Sequence, residues 1–107
     1  MEKFDVTIIG SGPGGYVSAI RCAQLGLKIA IVERYSTLGG TCLNVGCIPS
    51  KAWLEASEHY YKLKHQFEKF GIDVKEANVD ILKMSQRVQD VVQEIINGVD
   101  YLMKKNK

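Results

Sequence analysis

The 107-residue sequence predicts an α/β fold, one βαβ unit followed by two long helices. Two short apolar, β-branched runs, residues 4–9 and 28–33, flank a segment with helical periodicity. A G-x-G-x-x-G turn joins the first run to that segment. Beyond residue 40 the apolar residues recur at helical rather than alternating spacing.

Residues 4–9 are nearly continuously hydrophobic and end at Gly10, the pattern of a strand buried on both faces of a parallel sheet. A helix is predicted from Pro13, which suits a first helical turn, to about Leu25. Its sheet-facing stripe is Val17, Ile20 and Ala23 or Gln24, and Gly26 follows as its C′ residue. Residues 28–33 form the second strand, which makes the unit a right-handed crossover. After a turn at Gly39-Gly40 comes a helical stretch interrupted at Pro49, resuming at Ser50 and broken at Gly71. Residues 72–79 fit a short extended piece. Asp80 then caps a long helix, with Ile81, Met84, Val88, Val91 or Val92, Ile95, Val99 and Leu102 forming a stripe that faces a core or another subunit.

Composition narrows the function classes. With 46% hydrophobic and 24% charged residues the chain reads as a soluble globular protein. A net charge of +2 is too near neutral to point to nucleic acid or an anionic membrane. The lysines at 104, 105 and 107 suit the negative end of a helix dipole. No apolar run approaches the ~20 residues a membrane span requires. The first strand follows Met1 so closely that no leader peptide is expected, which points to a reducing, cytoplasmic setting. There, paired cysteines are catalytic or metal-binding more often than structural.

Gly10, Gly12 and Gly15 give the turn its chemistry. The first permits a tight turn, the second lets a pyrophosphate reach the backbone, and the third lets helix and strand pack closely. With Pro13 and Gly14 they place the phosphates at the positive end of the helix. Glu33 ends the second strand about 20 residues on, where a carboxylate accepts hydrogen bonds from an adenosine ribose and repels a 2′-phosphate. This is the fingerprint of a partial Rossmann-like domain, and by itself it does not separate FAD from NAD.

Cys42 and Cys47 stand in C-x-x-x-x-C within GGTCLNVGCIPSK, residues 39–51. A structural zinc site needs four ligands, and only one cysteine pair is present. His59 and His65 are six apart, about 240° around a helix, so they cannot share a ligand face. Both read as solvated surface. In an ideal helix residues five apart have Cα atoms about 8.7 Å apart, whereas a disulfide wants roughly 4.4–6.8 Å. A bridge therefore requires a distorted turn, for which Gly46 supplies freedom, and a strained bridge is easily reduced. The helix N-terminus near Cys42, with Lys51, is expected to raise thiolate character. Cys22 reads as a small buried thiol.

The 39–51 segment resembles the active-site signature of the pyridine nucleotide–disulfide oxidoreductases, and within them is most similar to the dihydrolipoamide dehydrogenase branch. Leu43, Ile48 and Ser50 carry that finer choice, since glutathione and trypanothione reductases more often show valine, valine and lysine there, while mercuric reductase shares Ser50. The GSGPGG turn and Glu33 also match the family's FAD site.

The resemblance implies a Rossmann-like FAD-binding domain holding FAD through Gly10, Gly12, Pro13, Gly14, Gly15, Glu33, Arg34, Gly39, Gly40, Thr41, Cys42 and Lys51. Cys42 would be the interchange thiol, and Cys47 would make the charge-transfer contact with the flavin. Lys51 would stand near flavin N5. Electrons would run from dihydrolipoamide on a lipoyl carrier protein to the disulfide, to FAD and to NAD⁺. The working unit would be a homodimer serving a 2-oxoacid dehydrogenase complex or the glycine cleavage system.

Residues 1–107 contain no second G-x-G-x-x-G for a nicotinamide cofactor and no His–Glu base pair. They read as the N-terminal part of an FAD/NAD(P)-binding domain, inactive alone. The alternatives are a mercuric or glutathione-type reductase, or a non-catalytic FAD-binding or subunit-contact module.

Overall fold

A computed structural model describes residues 1–106; Lys107, the last member of the lysine cluster, lies outside the described residues. β1 (Val6–Ile9) and β2 (Ile29–Val32) pair in parallel, in register from Val6–Ile29 to Ile9–Val32. The helix α1 (Pro13–Gln24) is the crossover between them. It ends in a Schellman turn: the Gly26 N–H donates to the Ala23 carbonyl at 2.9 Å, and the Leu27 N–H to the Cys22 carbonyl at 3.1 Å. The mixed helix–strand class and the βαβ order are those the sequence predicts.

Two expectations about burial are corrected. β1 alternates half-buried and exposed residues, with Ile9 88% exposed, because α1 covers the sheet on one side and nothing among the described residues covers the other. The inward face of α1 is Tyr16, Ala19, Ile20 and Ala23, while Val17 points outward. Ala19 is the buried contact, since a small side chain lets the helix approach the strands.

α2 (Gly40–Asn44) is a short helix, followed by α3 (Cys47–His65). The interruption falls at Val45-Gly46, not at Pro49. Proline in the first turn of α3 loses no hydrogen bond, because first-turn amides have no intrahelical acceptor anyway. A 3-10 turn, Phe67–Phe70, closes on Gly71, and residues 72–79 form no strand. α4 (Ile81–Lys105) begins as expected, with the Asp80 carboxylate accepting from the Lys83 N–H at 3.1 Å. None of the described helices is long and apolar enough to cross a membrane.

α3 and α4 pack against each other, and the molecule is elongated, 67 × 25 × 18 Å. The α4 stripe is buried at Val88 and Val99, but Ile96, outside it, is buried where Ile95 is only half-buried, and Ile81 and Leu102 at its ends are exposed. A straight helix turns 3.6 residues per turn, so a stripe of mean spacing 3.5 drifts off the contact line. The main core cluster is Leu43, Ile96 and Val99, backed by Tyr16, Leu38, Ile48, Val92 and Ile95. Leu43 lies between the two cysteines in sequence, so α4 is the floor beneath the cysteine segment. Truncating Ile96, 6% exposed, to alanine is expected to cost about 2–4 kcal/mol, read as a lower denaturant midpoint in the full-length protein.

Candidate active site

The glycine turn leaves β1 with the Gly10 N–H bonded to the Val32 carbonyl at 2.8 Å. A Cβ at Gly15 would run into the Gly10 carbonyl, so the third glycine is what allows α1 to sit on the turn. No side chain caps α1 and no acidic residue occupies its first turn. Around Gly14 the space is open, with nothing within 4 Å of where its Cβ would stand. Among the described residues the first-turn amides of α1 therefore have no side-chain partner, which leaves them available to an anion.

Glu33 directly follows β2 and folds back onto this turn. Its Oε2 accepts from the Ser11 N–H at 3.0 Å and from the Ser11 hydroxyl. Its Oε1 accepts from the Arg34 N–H at 2.7 Å and the Tyr35 N–H at 3.1 Å. The Ser11 hydroxyl, then the Tyr35 and Ser11 amides, hold its carboxyl well below the usual range, at about 2. Because the folded value is depressed from 4.5, the Glu33 contribution to stability is complete above about pH 4.5 and is lost as pH falls toward 2. Acid unfolding of the wild type and of Glu33→Gln is expected to converge across that window. Arg34 lies over the Tyr35 ring, 4.9 Å from its centroid.

Loop 33–40 then returns to the turn. The Gly39 N–H donates to the Ser11 carbonyl at 2.9 Å. Gly40, at φ +64°, is so close to Gly12 that a Cβ on it would stand 2.6 Å from the Gly12 Cα. The glycine turn and the cysteine segment therefore touch backbone to backbone, which only glycine permits. Asn44 locks this arrangement: its amide donates to the Gly40 carbonyl at 2.8 Å and the Leu38 carbonyl at 3.1 Å, and its oxygen accepts from the Thr37 hydroxyl at 2.9 Å. Thr41 is exposed beside them, on a cleft of about 360 Å³ that Tyr35, Thr37 and Val45 also line.

Cys42 is half-buried in α2, and Cys47 is exposed as the first residue of α3. The break between the helices does what a continuous helix could not. At Gly46 a Cβ would lie 2.9 Å from the Thr41 carbonyl oxygen and 3.1 Å from the Cys42 Cα, so the chain doubles back tightly. Both cysteines are free thiols. The expectation of greater thiolate character at Cys42 is corrected. Its hydrogen bond to Cys47 and its burial push the Cys42 thiol up. The Cys47 and Ile48 amides, at the head of α3, pull the other way and are outweighed.

Lys51 is exposed one turn after Cys47 on the same face of α3, with no ion pair among the described residues. His59 and His65 are exposed on α3, and His65 stacks on Tyr61 at 4.6 Å. Ser11 and Asn44 carry bonds that sequence reasoning missed. Neither has a periodicity or spacing signal of its own.

The pyridine nucleotide-disulphide oxidoreductase family profile matches residues 4–107. The chain belongs to that family. Oxidoreductases of this family related to the chain include the mitochondrial dihydrolipoyl dehydrogenase of Schizosaccharomyces pombe, 53% identical over 105 residues, 98% of this chain and 20% of that protein. The mitochondrial dihydrolipoyl dehydrogenase of Cricetulus griseus is also 53% identical over 105 residues, covering 96% of this chain and 20% of its own. A solved structure of a copper(II) complex of the HOCl-induced flavoprotein disulfide reductase RclA, a cysteine-to-serine mutant from Escherichia coli, superposes with a TM-score of 0.72. It is 26% identical, over 94% of this chain and 19% of that one. The chain thus spans about a fifth of the length of the relatives it matches. The cytoplasmic expectation is overturned, because these dehydrogenases are named as mitochondrial.

Proposed function

We propose that this chain supplies the FAD-binding and disulfide-bearing part of a dihydrolipoyl dehydrogenase, working in the mitochondrion. The observation that carries the reading is the contact of Gly40 with Gly12, which sets a free cysteine pair directly against an anion-binding helix start. The arrangement fits FAD: the open α1 amides suit a pyrophosphate, and Glu33 suits the adenosine ribose. Gly10, Gly12, Pro13, Gly14, Gly15, Glu33, Arg34, Gly39, Gly40, Thr41, Cys42 and Lys51 would hold it. FAD held there would supply the two-electron relay between the cysteine pair and NAD⁺, for which residues 1–107 carry no second G-x-G-x-x-G.

The cysteines perform the thiol exchange. A substrate thiolate attacks the Cys42 sulfur of the Cys42–Cys47 bridge, a mixed disulfide forms, and Cys47 leaves as thiolate. The second substrate thiol then closes the substrate's own disulfide and releases Cys42, so two electrons enter the cysteine pair. Lys51 puts a cation on the Cys47 side of α3, which favours negative charge there. Dihydrolipoamide as substrate, on a lipoyl carrier in a 2-oxoacid dehydrogenase complex or the glycine cleavage system, is supported by the 53% identity to dihydrolipoyl dehydrogenases. A homodimer is the proposed working unit, and residues 1–107 are proposed as the first part of its FAD/NAD(P)-binding domain.

The test is NADH formation from dihydrolipoamide and NAD⁺ by the full-length flavoprotein. Turnover of glutathione disulfide or mercuric ion in preference to lipoamide would move the chain to another branch of the family.

A further inference from the structure

Ser11 is the most deeply buried polar residue of the described chain, 0% exposed, yet it lies between two glycines of a surface turn. Each of its polar groups is committed. Its N–H and its hydroxyl both donate to Oε2 of Glu33, and its carbonyl accepts from the Gly39 N–H at 2.9 Å. A serine at this place joins the end of β1, the end of β2 and the loop that leads to Cys42.

The two carboxylate oxygens of Glu33 are treated differently. Oε2 is taken up on the part-buried side by Ser11 alone. Oε1 lies on the exposed side, where its donors are the Arg34 and Tyr35 amides. A ligand arriving from solvent meets Oε1 first. Held by Ser11 through one oxygen and by the Arg34 and Tyr35 amides through the other, the carboxylate keeps one orientation.

We infer that Ser11 is a positioning residue for dinucleotide recognition: its hydroxyl anchors Oε2 of Glu33 so that Oε1 is presented to the adenosine ribose diol. The inference rests on the FAD reading of the site. Ser11 acts through Glu33 and needs no contact with the ligand. The lowered Glu33 titration, to which the Ser11 hydroxyl contributes most, agrees with a carboxylate held by that hydroxyl.

The experiment is a double-mutant cycle on the deflavinated full-length protein, with FAD affinity followed by flavin fluorescence. Ser11→Ala is expected to weaken FAD binding by about ten- to a hundredfold, the ordinary result of losing a hydrogen bond to a charged group. In a Glu33→Gln background the same substitution should weaken it by less than about threefold, since the group it orients has already lost its charge. The Glu33 carboxyl, followed by isotope-edited infrared titration, should move up in Ser11→Ala. Ser11→Gly is run beside it, so that a folding defect in one variant leaves the other to decide.

Equal losses in both backgrounds would make Ser11 merely structural and overturn the inference. So would an unchanged Glu33 titration. Failure of the wild-type protein to bind FAD at all would instead overturn the FAD reading, which separates the two failures.

Discussion

Serine at either Cys42 or Cys47 is expected to lower lipoamide-dependent NADH formation by more than about a thousandfold, because a hydroxyl cannot form the bridge that accepts the substrate's electrons. The two variants should differ in a second property. Cys47→Ser should lose the long-wavelength absorbance that a thiolate beside flavin gives on two-electron reduction, while Cys42→Ser should keep it. Anaerobic titration of the flavoprotein measures both. The structure supports this asymmetry by the different settings of the two sulfurs. Cys42 is half-buried with its thiol pushed up, whereas Cys47 is exposed at the head of a 19-residue helix. If Cys47→Ser retained the band, the roles assigned to the pair would have to be exchanged.

Alanine at Gly46 is expected to have an effect nearly as large without touching either sulfur. Its Cβ would stand 2.9 Å from the Thr41 carbonyl oxygen and 3.1 Å from the Cys42 Cα, and both neighbours are backbone. Backbone cannot swing aside as a flexible side chain can, so residues 41–42 and 46–47 must separate. Free-thiol titration after oxidation should then show Cys42 and Cys47 largely unbridged, with turnover down about a hundredfold. Overpacking should also cost about 1–3 kcal/mol of stability. Gly98→Ala is the control. It sits in the exposed middle of α4 with nothing within 4 Å of its Cβ, so alanine there should stabilise by about 0.5–1 kcal/mol and leave the thiols alone. Normal bridging in Gly46→Ala would mean that the tight return at this glycine does not govern the pair.

Local signals in the sequence were good guides where local physics decides. Pro13, Gly26 and Asp80 mark helix ends through missing donors, turn geometry and a capping carboxylate, and all three ends stand where expected. Pro49 misled because its effect depends on where the helix starts, and α3 starts two residues before it, at Cys47. The inward faces of α1 and α4 were only partly readable. Periodicity identifies a stripe, but the partner surface decides which edge is buried, hence Ala19 rather than Val17 and Ile96 ahead of Ile95. The apolar β1 run predicted burial on both faces, and in this structure only one is covered.

The cysteine pair shows the same division. By itself the sequence determined the chemistry: two thiols five residues apart beside a glycine turn, a carboxylate about 20 residues on, and a signature specific enough to name the family. Those features depend on residue identity and spacing along the chain, which a sequence records directly. The tertiary structure alone decided how the parts meet. It placed Gly40 on Gly12, folded Gly46 back on Cys42, buried Ser11 between Glu33 and Gly39, and set α4 beneath Leu43. Each is a contact between segments distant along the chain or across a reversed turn. Such contacts are selected by close packing and by the need to pair every buried polar group, and neither leaves a period or spacing to read.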